Sequence, residues 1–313
     1  VRVRPLVLSA ATALSLFALA GCASSGGDDA SPTATGATDL CAAVVDSGSA
    51  SDAVEVSGEI GTVPTVAFDA PLEITDLERT VVEEGTGPDL AAGEFLNYAV
   101  SAYDVETGQL IDSAGYEPGQ LLPQQISPET GLGQILGCSP LGSRVVATFP
   151  ASDANAAAVY VIDMLTVTPT AAWGEEQEPA AGAPTVELDE DGAPTITIPD
   201  AEAPTAVEIE TLKKGDGDEV LPGDSVLVQY TGAKWSDGSV FDSSWDRGAP
   251  TSFATTQVVD GFRQALEGQT VGSQVVVVVP PEFGYGASEG NELQNETLVF
   301  VVDILATQHP ING

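Results

Sequence analysis

The sequence predicts an α+β protein of two domains, each an antiparallel β-sheet wrapped on a short α-helix. Three observations lead there. Short apolar runs alternate between Gly and Pro turns, as antiparallel strands do, and no long α/β repeat is visible. One short stretch has helical spacing: Val259, Phe262 and Leu266 share a face at i, i+3 and i+7. The chain also repeats itself, and its 313 residues suit two domains.

The repeat is read directly from the residues. Pro64-Thr65-Val66 returns as Pro194-Thr195-Ile196, and Glu84-Gly85-Thr86-Gly87 as Lys214-Gly215-Asp216-Gly217. Ile111-Asp112-Ser113 returns as Phe241-Asp242-Ser243, and Leu141-Gly142-Ser143 as Val271-Gly272-Ser273. The offset is 130 for all of these, as from Pro64 to Pro194, and becomes 140 at Val159-Tyr160 against Val299-Phe300. The first copy therefore lacks ten residues between Pro150 and Val159, and the matching stretch of the second holds Glu282-Phe283-Gly284-Tyr285-Gly286.

The N-terminus reads as an address and not as fold. Arg2 and Arg4 precede an apolar run, Leu6 to Ala20, shorter than the ~20 residues a spanning helix needs. Leu19-Ala20-Gly21-Cys22 resembles the lipobox of bacterial lipoproteins, where a peptidase cuts before the cysteine and the cysteine carries lipid. The resemblance implies a signal peptide over 1–21, lipidation of Cys22 and a place on the outer face of the bacterial cell membrane. Residues 22–53 are expected as a flexible tether, since Ala23 to Thr38 is Ser, Gly, Ala, Thr and Asp without an apolar period. With Cys22 committed to lipid, Cys41 and Cys138 remain. Two cysteines in an exported chain suggest one disulfide, with two free thiols the alternative.

The remaining boundaries are a first domain over 54–168, a linker over 169–184 rich in Ala, Pro, Glu and Gly, and a second domain over 185–313. In the second, strands are expected near Val207–Lys213, Ser225–Tyr230, Val240–Ser243, Ser273–Val279 and Thr297–Leu305, with a helix at Val259–Leu266. The five valines Val275–Val279 would be an aggregation hazard at an edge, so they belong centrally in the sheet.

Charge bounds the partners. The formal net charge is −38, from 47 acids against 9 bases, a surface that repels nucleic acid and anionic lipid. Membrane contact must come through the lipid. The chain is read as a monomer.

The richest stretch is Val226 to Arg247. Val226, Val228 and Tyr230 fall on one face of a half-buried strand, Leu227 and Gln229 on the other. A turn at Ser236-Asp237-Gly238 brings Phe241 and Asp242 back beside it, so that aromatics and one carboxylate can frame an apolar pocket. Singly each residue has an ordinary core or turn role; together, in this order, they describe a pocket.

From about Val207 to Leu305 the chain resembles the FKBP-type peptidyl-prolyl isomerases. The carriers are Gln229-Tyr230-Thr231-Gly232, Asp237 to Ser244, Asp246-Arg247, Val258 to Phe262, Val271-Gly272, Phe283 to Ala287 and Leu298-Val299-Phe300. The resemblance implies pocket walls at Tyr230, Phe241 and Phe300, a floor at Phe262, and a further lining aromatic at Phe253. It implies substrate-facing backbone at Val258 and Val259, a buried carboxylate at Asp242 with Arg247 beside it, and a loop hydroxyl at Tyr285 that bonds a substrate carbonyl. Tyr230, Phe241, Asp242, Tyr285 and Phe300 are the catalytic candidates; Arg247, Phe253, Val258, Val259 and Phe262 bind substrate. Thr251 stands where an aromatic is frequent, and Gly290 to Asn295 lacks an Ile-Pro-Pro-like run. The implied ligands are proline-containing exported polypeptides and macrolides, and the chemistry asks for no metal or cofactor. His309, the single histidine, is expected as a solvated tail residue.

The first copy keeps Asp112 and Tyr160 but has Val100, Ile111 and Leu132 at the positions of Tyr230, Phe241 and Phe262, and no counterpart of Tyr285. It is expected as a fold relative without isomerase activity, acting as a spacer, a chaperone-like surface or a docking module. The rival reading of the whole chain is a non-catalytic, chaperone-like module that grips extended client segments.

Overall fold

Long strands of β-branched residues organise the chain, whose residues 39–310 are described by the computed structural model. The first half runs α1 (Ser49–Asp52), β1 (Glu55–Ser57), β2 (Thr65–Ala67), β3 (Glu78–Glu83), β4 (Phe95–Asp104), β5 (Leu110–Ala114), β6 (Gln124–Gln125), α2 (Gly131–Leu136), β7 (Arg144–Phe149) and β8 (Ala158–Thr168). The second half runs β9 (Glu175–Glu176), β10 (Thr185–Leu188), β11 (Pro194–Thr197), β12 (Glu208–Lys214), β13 (Ser225–Lys234), β14 (Val240–Ser243), β15 (Thr251–Ala254), α3 (Asp260–Leu266), β16 (Gln274–Val279) and β17 (Leu298–Gln308).

Each half builds one antiparallel sheet. The first has the order β3-β7-β8-β4-β5, with β6 also on β4; the second has β14-β13-β17-β16-β12-β9, with β15 also on β13. The repeat extends to irregularities. Bulges fall at Val81/Glu83 and Thr211/Lys213, at Asn97/Tyr98 and Leu227/Val228, and at Ala102/Tyr103 and Gly232/Ala233. A bulge re-aims a strand, so the two sheets bend at matching places.

On the inner face of the second sheet, α3 presents Phe262, Ala265 and Leu266 to Val226, Val228, Val275, Val277 and Ile304. Gly261 permits the approach: a Cβ there would lie 2.5 Å from Val279 Cγ1. The outer face, with Val276, Val278, Val299 and Val301, is covered by Val186 and Ile196 of the β10–β11 hairpin. The valine run is thus interior on both faces, on a strand flanked by β12 and β17. In the first half α2 and the β1–β2 hairpin do the same, with Leu132 and Ile135 inside and Val56 and Val66 outside.

Four expectations need correction. The strand at Val226 is buried on both faces, because Leu227 packs with Leu305 and Ala306 against Phe95 and Leu122 of the first half. The tether does not reach residue 53: Leu40 is buried in the first core, and the Glu78 carboxylate accepts from Ala50 N and Ser51 N at 2.8 and 3.0 Å, capping α1. The linker is not free over 169–184. Ala172 is buried, its N–H donates to Asp303 Oδ2 at 2.8 Å, its carbonyl accepts from Lys213 Nζ at 3.0 Å, and β9 adds an edge to β12. The backbone groups of the linker find partners on the second sheet, which holds it there.

His309 is the fourth. Its Nδ1 lies 2.8 Å from the buried Asp224 Oδ2, and its backbone N–H donates to Gly119 O at 2.8 Å. Gln308 Nε2 donates to Gln120 O at 2.9 Å. A fully buried carboxylate demands partners, and His309 supplies one while clasping the two halves. A disulfide joins Cys41 to Cys138, 97 residues apart in sequence. Residues 1–21, with Arg2 and Arg4, and Cys22 lie outside the described residues, as do residues 23–38 of the tether.

Candidate functional site

The site forms where β13, β14 and β17 carry aromatic side chains over α3. Tyr230 and Phe300 point inward by strand alternation, and Phe262 rises from the helix. The rings meet in sequence: Phe241–Phe300 at 5.5 Å between centroids, Phe300–Phe262 at 5.1 Å, Phe262–Tyr230 at 5.9 Å and Tyr230–Phe253 at 5.8 Å. Most are edge-to-face, the arrangement that ring quadrupoles favour. Tyr230, Phe262 and Phe300 are buried, while Phe241, Phe253, Val258, Val259 and Tyr285 pack against them half-buried. The structure packs all these residues into one cluster.

Gly232 makes the contact of these rings possible. It pairs with Asp242 on one side and Phe300 on the other, and a Cβ there would lie 2.7 Å from Phe241 Cζ and 2.9 Å from Phe300 Cε1. In the first half Ala102 holds this place, paired with Asp112 and Tyr160. There the methyl is buried, and Ile111 stands out 55 % exposed.

The polar corner is a triad. Asp242 accepts hydrogen bonds from the Tyr230 hydroxyl and from Arg247 Nη1, and Arg247 Nη2 donates to the Tyr230 hydroxyl oxygen at 3.0 Å. The guanidinium carbon lies 5.4 Å from the Tyr230 ring centroid. Burial, then the bond to Asp242, pushes the Tyr230 phenol up to about 12, with Arg247 opposing. Its proton therefore stays on through the neutral range. The loop bearing Arg247 is fixed by buried Ser244, whose Oγ bonds Gln229 Oε1 and accepts from Tyr230 N at 2.8 Å.

Asp242 itself corrects an expectation: it is not a buried carboxylate, since its side chain is 41 % exposed. It lies on the edge strand β14 at the rim, where part of its charge stays hydrated. Tyr285 follows a 3-10 turn at Pro281–Phe283, and its hydroxyl has no hydrogen-bond partner among the described residues.

Two wall residues were given no such place by sequence reasoning, although Phe283 stands in the stretch that carries the resemblance. Leu293 and Phe283 pack on the aromatic cluster. Leu293 is the single apolar residue of Gly290–Asn295, a signal that was present. Gln294 Nε2 donates to Gly286 O at 3.3 Å and ties that wall to the Tyr285 loop. β15 was also missed; its Thr251 pairs with Val228, leaving the aromatic work to Phe253. Among the described residues no group of three or more His, Cys, Asp or Glu could hold a metal ion.

Comparison with known proteins places these residues among relatives. Residues 217–305 match the family model described as FKBP-type peptidyl-prolyl cis-trans isomerase. A probable FK506-binding protein of Corynebacterium glutamicum is 38% identical over 93 residues, 29% of this chain and 79% of the relative. An FK506-binding protein of Streptomyces anulatus is 37% identical over 103 residues, 31% of this chain and 83% of the relative. The outer membrane protein MIP of Legionella longbeachae is 35% identical over 106 residues, 33% of this chain and 45% of the relative.

Proposed function

This chain belongs to the FKBP-type peptidyl-prolyl cis-trans isomerase family, and from that premise we propose that the aromatic hollow of its second half is the isomerase site. The chain is a peptidyl-prolyl isomerase acting in protein folding on proline-containing polypeptides. The observation that carries the assignment of the site is the unbroken ring contact from Phe241 through Phe300, Phe262 and Tyr230 to Phe253.

Rotation about a prolyl amide breaks resonance, against a barrier of ~18–20 kcal/mol, and takes roughly tens to hundreds of seconds unaided. The twisted amide has lost its charge separation. An apolar hollow favours it over the planar form, because less polarity is desolvated. The Tyr285 hydroxyl is free to donate to a substrate carbonyl. Val258 and Val259, just before α3, would hold the substrate backbone. Asp242, Arg247 and Tyr230 lock one another and keep the rim in shape. No step needs a nucleophile.

The architecture we propose is two FKBP-like domains, 54–168 and 185–313. The first lacks activity because the Ala102 methyl fills the space that Gly232 leaves for rings. The lipobox-like Cys22 supports export with a lipid anchor on the outer face of the cell membrane. The name of the Legionella relative agrees with an envelope location, and among the described residues no helix is long and apolar enough to cross a membrane. The FK506-binding relatives support macrolides as ligands of the same hollow.

The test is a protease-coupled assay on a short proline peptide. The full chain accelerates exchange, and Phe241→Ala, Asp242→Ala and Tyr285→Ala each reduce kcat/KM. A wild-type rate equal to buffer would return the chain to the binding-module reading. Activity that survives in a Phe241→Ala/Tyr285→Ala double variant would place catalysis in the first half.

A further inference from the structure

We propose that the cleft between the two halves is a second polypeptide-binding site, for an extended segment bearing an apolar or aromatic side chain flanked by Lys or Arg. The cleft encloses about 540 Å³ and takes its walls from both halves, with Leu121 and Leu165 on one side and Val271 and Leu305 on the other. Trp173, from the segment that joins the halves, closes it. This tryptophan is 44 % exposed, an unusual cost for so large an apolar ring. Its position is set: a Cβ on Gly272 would lie 2.9 Å from its Cε2 and Nε1. Its indole N–H has no hydrogen-bond partner among the described residues, so a carbonyl of a bound segment can accept from it.

The charge of the occupant follows from the rim. Glu117 and Asp218 are exposed there and are the charged residues of the lining, while the basic side chains at its ends are engaged, His309 with Asp224 and Lys213 with the Ala172 carbonyl. The rest of the chain deepens the negative field, at −38. Such a field draws a cationic segment and repels an acidic one.

The cleft is also held in shape without a ligand. Gln308 and His309 bond Gln120 and Gly119 at one end, and Ala172 is held by Asp303 and Lys213 at the other. A preformed groove spares a ligand the cost of ordering it.

The position relative to the isomerase site, which rests on the reading given above, makes the cleft useful. β17 carries Phe300 in the ring cluster on its inner face and Leu305 in the cleft wall on the opposite face. At about 3.3 Å per residue the two lie roughly 17 Å apart along the strand. The two sites lie on opposite faces of the sheet, so a client engages both by passing round its edge, and the cleft then raises the local concentration of its proline at the rings.

The experiment uses the full chain and a proline-free peptide with a Trp-Leu centre flanked by arginines, titrated calorimetrically. It is expected to bind, and Glu117→Lys/Asp218→Lys, two exposed side chains outside the isomerase site, is expected to weaken it about tenfold. The same variant is expected to leave kcat/KM on a short proline peptide unchanged. Joining the Arg-flanked anchor to that peptide through a flexible linker of about 20 residues, long enough to pass the sheet edge, is expected to lower KM about tenfold in the wild type and not in the variant. The proposal is overturned by absence of binding, by equal binding of the glutamate-flanked counterpart, or by unchanged affinity in the double variant. It is equally overturned if sedimentation shows a dimer that the double variant dissolves, since a second copy would then fill the cleft. Loss of the short-peptide activity in the wild type would refute the isomerase reading and leave the proline-free titration standing.

Discussion

Gly232 shows how much one side chain can decide. It leaves the space in which Phe241 and Phe300 meet edge to face, and the same place in the first half carries a methyl group. Gly232→Ala is expected to lower kcat/KM on a short proline peptide at least tenfold while the chain stays folded by circular dichroism, because Phe241 sits on an edge strand and can swing out. Asp303 makes the second residue-scale case. Burial holds its carboxyl above the ordinary value of 3.8, with Ala172 N–H, Gln274 and Lys213 opposing. The folded state therefore keeps this proton more tightly than the unfolded chain. The contribution to stability is full below 3.8 and is lost as pH rises through the folded value. Urea melts of Asp303→Asn at pH 4 and pH 7 should show a smaller fall in stability over that interval than the wild type. The equivalent carboxylate in the first half, Asp163, is buried against Arg144 with bonds of 2.6 and 2.7 Å. Removing that arginine, as Arg144→Ala, should cost about 3–5 kcal/mol in the same melts.

At the scale of elements, the strands and α3 were legible because the pleat and the helical turn impose their periods on apolar residues. Val240–Ser243 was placed to the residue. The candidate rings were legible because order and spacing together constrain them, and strand alternation sends them to one side. What stayed illegible depends on non-local partners. Pro194–Thr197 was seen only as a repeat, yet it forms half of a cover over the second sheet. Glu175–Glu176 reads as linker because its pairing partner lies at Lys213–Lys214. His309 looks like a tail until Asp224, 85 residues away, is brought beside it. The cover has a measurable role: Ile196→Ala should destabilise the chain by about 2 kcal/mol and speed its aggregation, since Val276 and Val278 lose their roof.

At the scale of the whole molecule, the halves share one architecture and diverge in what they do with it. The second packs a cluster of rings on its inner face; the first has Ala102 at the place of Gly232 and offers its flank to the second. The contact of Phe95 and Leu122 with Leu227, Leu305 and Ala306 makes that flank a wall and not a loose neighbour. Replacing Cys41 and Cys138 by serine should lower the stability of the first half by about 2–5 kcal/mol, read as an earlier thermal transition, with isomerase activity unchanged.

That disulfide also settles how the protein would carry a mechanical load. A pull exerted upstream of Cys41 crosses the sulfur bridge directly to Cys138, and the 97-residue span between them bears no tension. Stretched from its two ends, the oxidised chain would extend about 330 Å less than the reduced one, and force would enter the first half beside the end of α2.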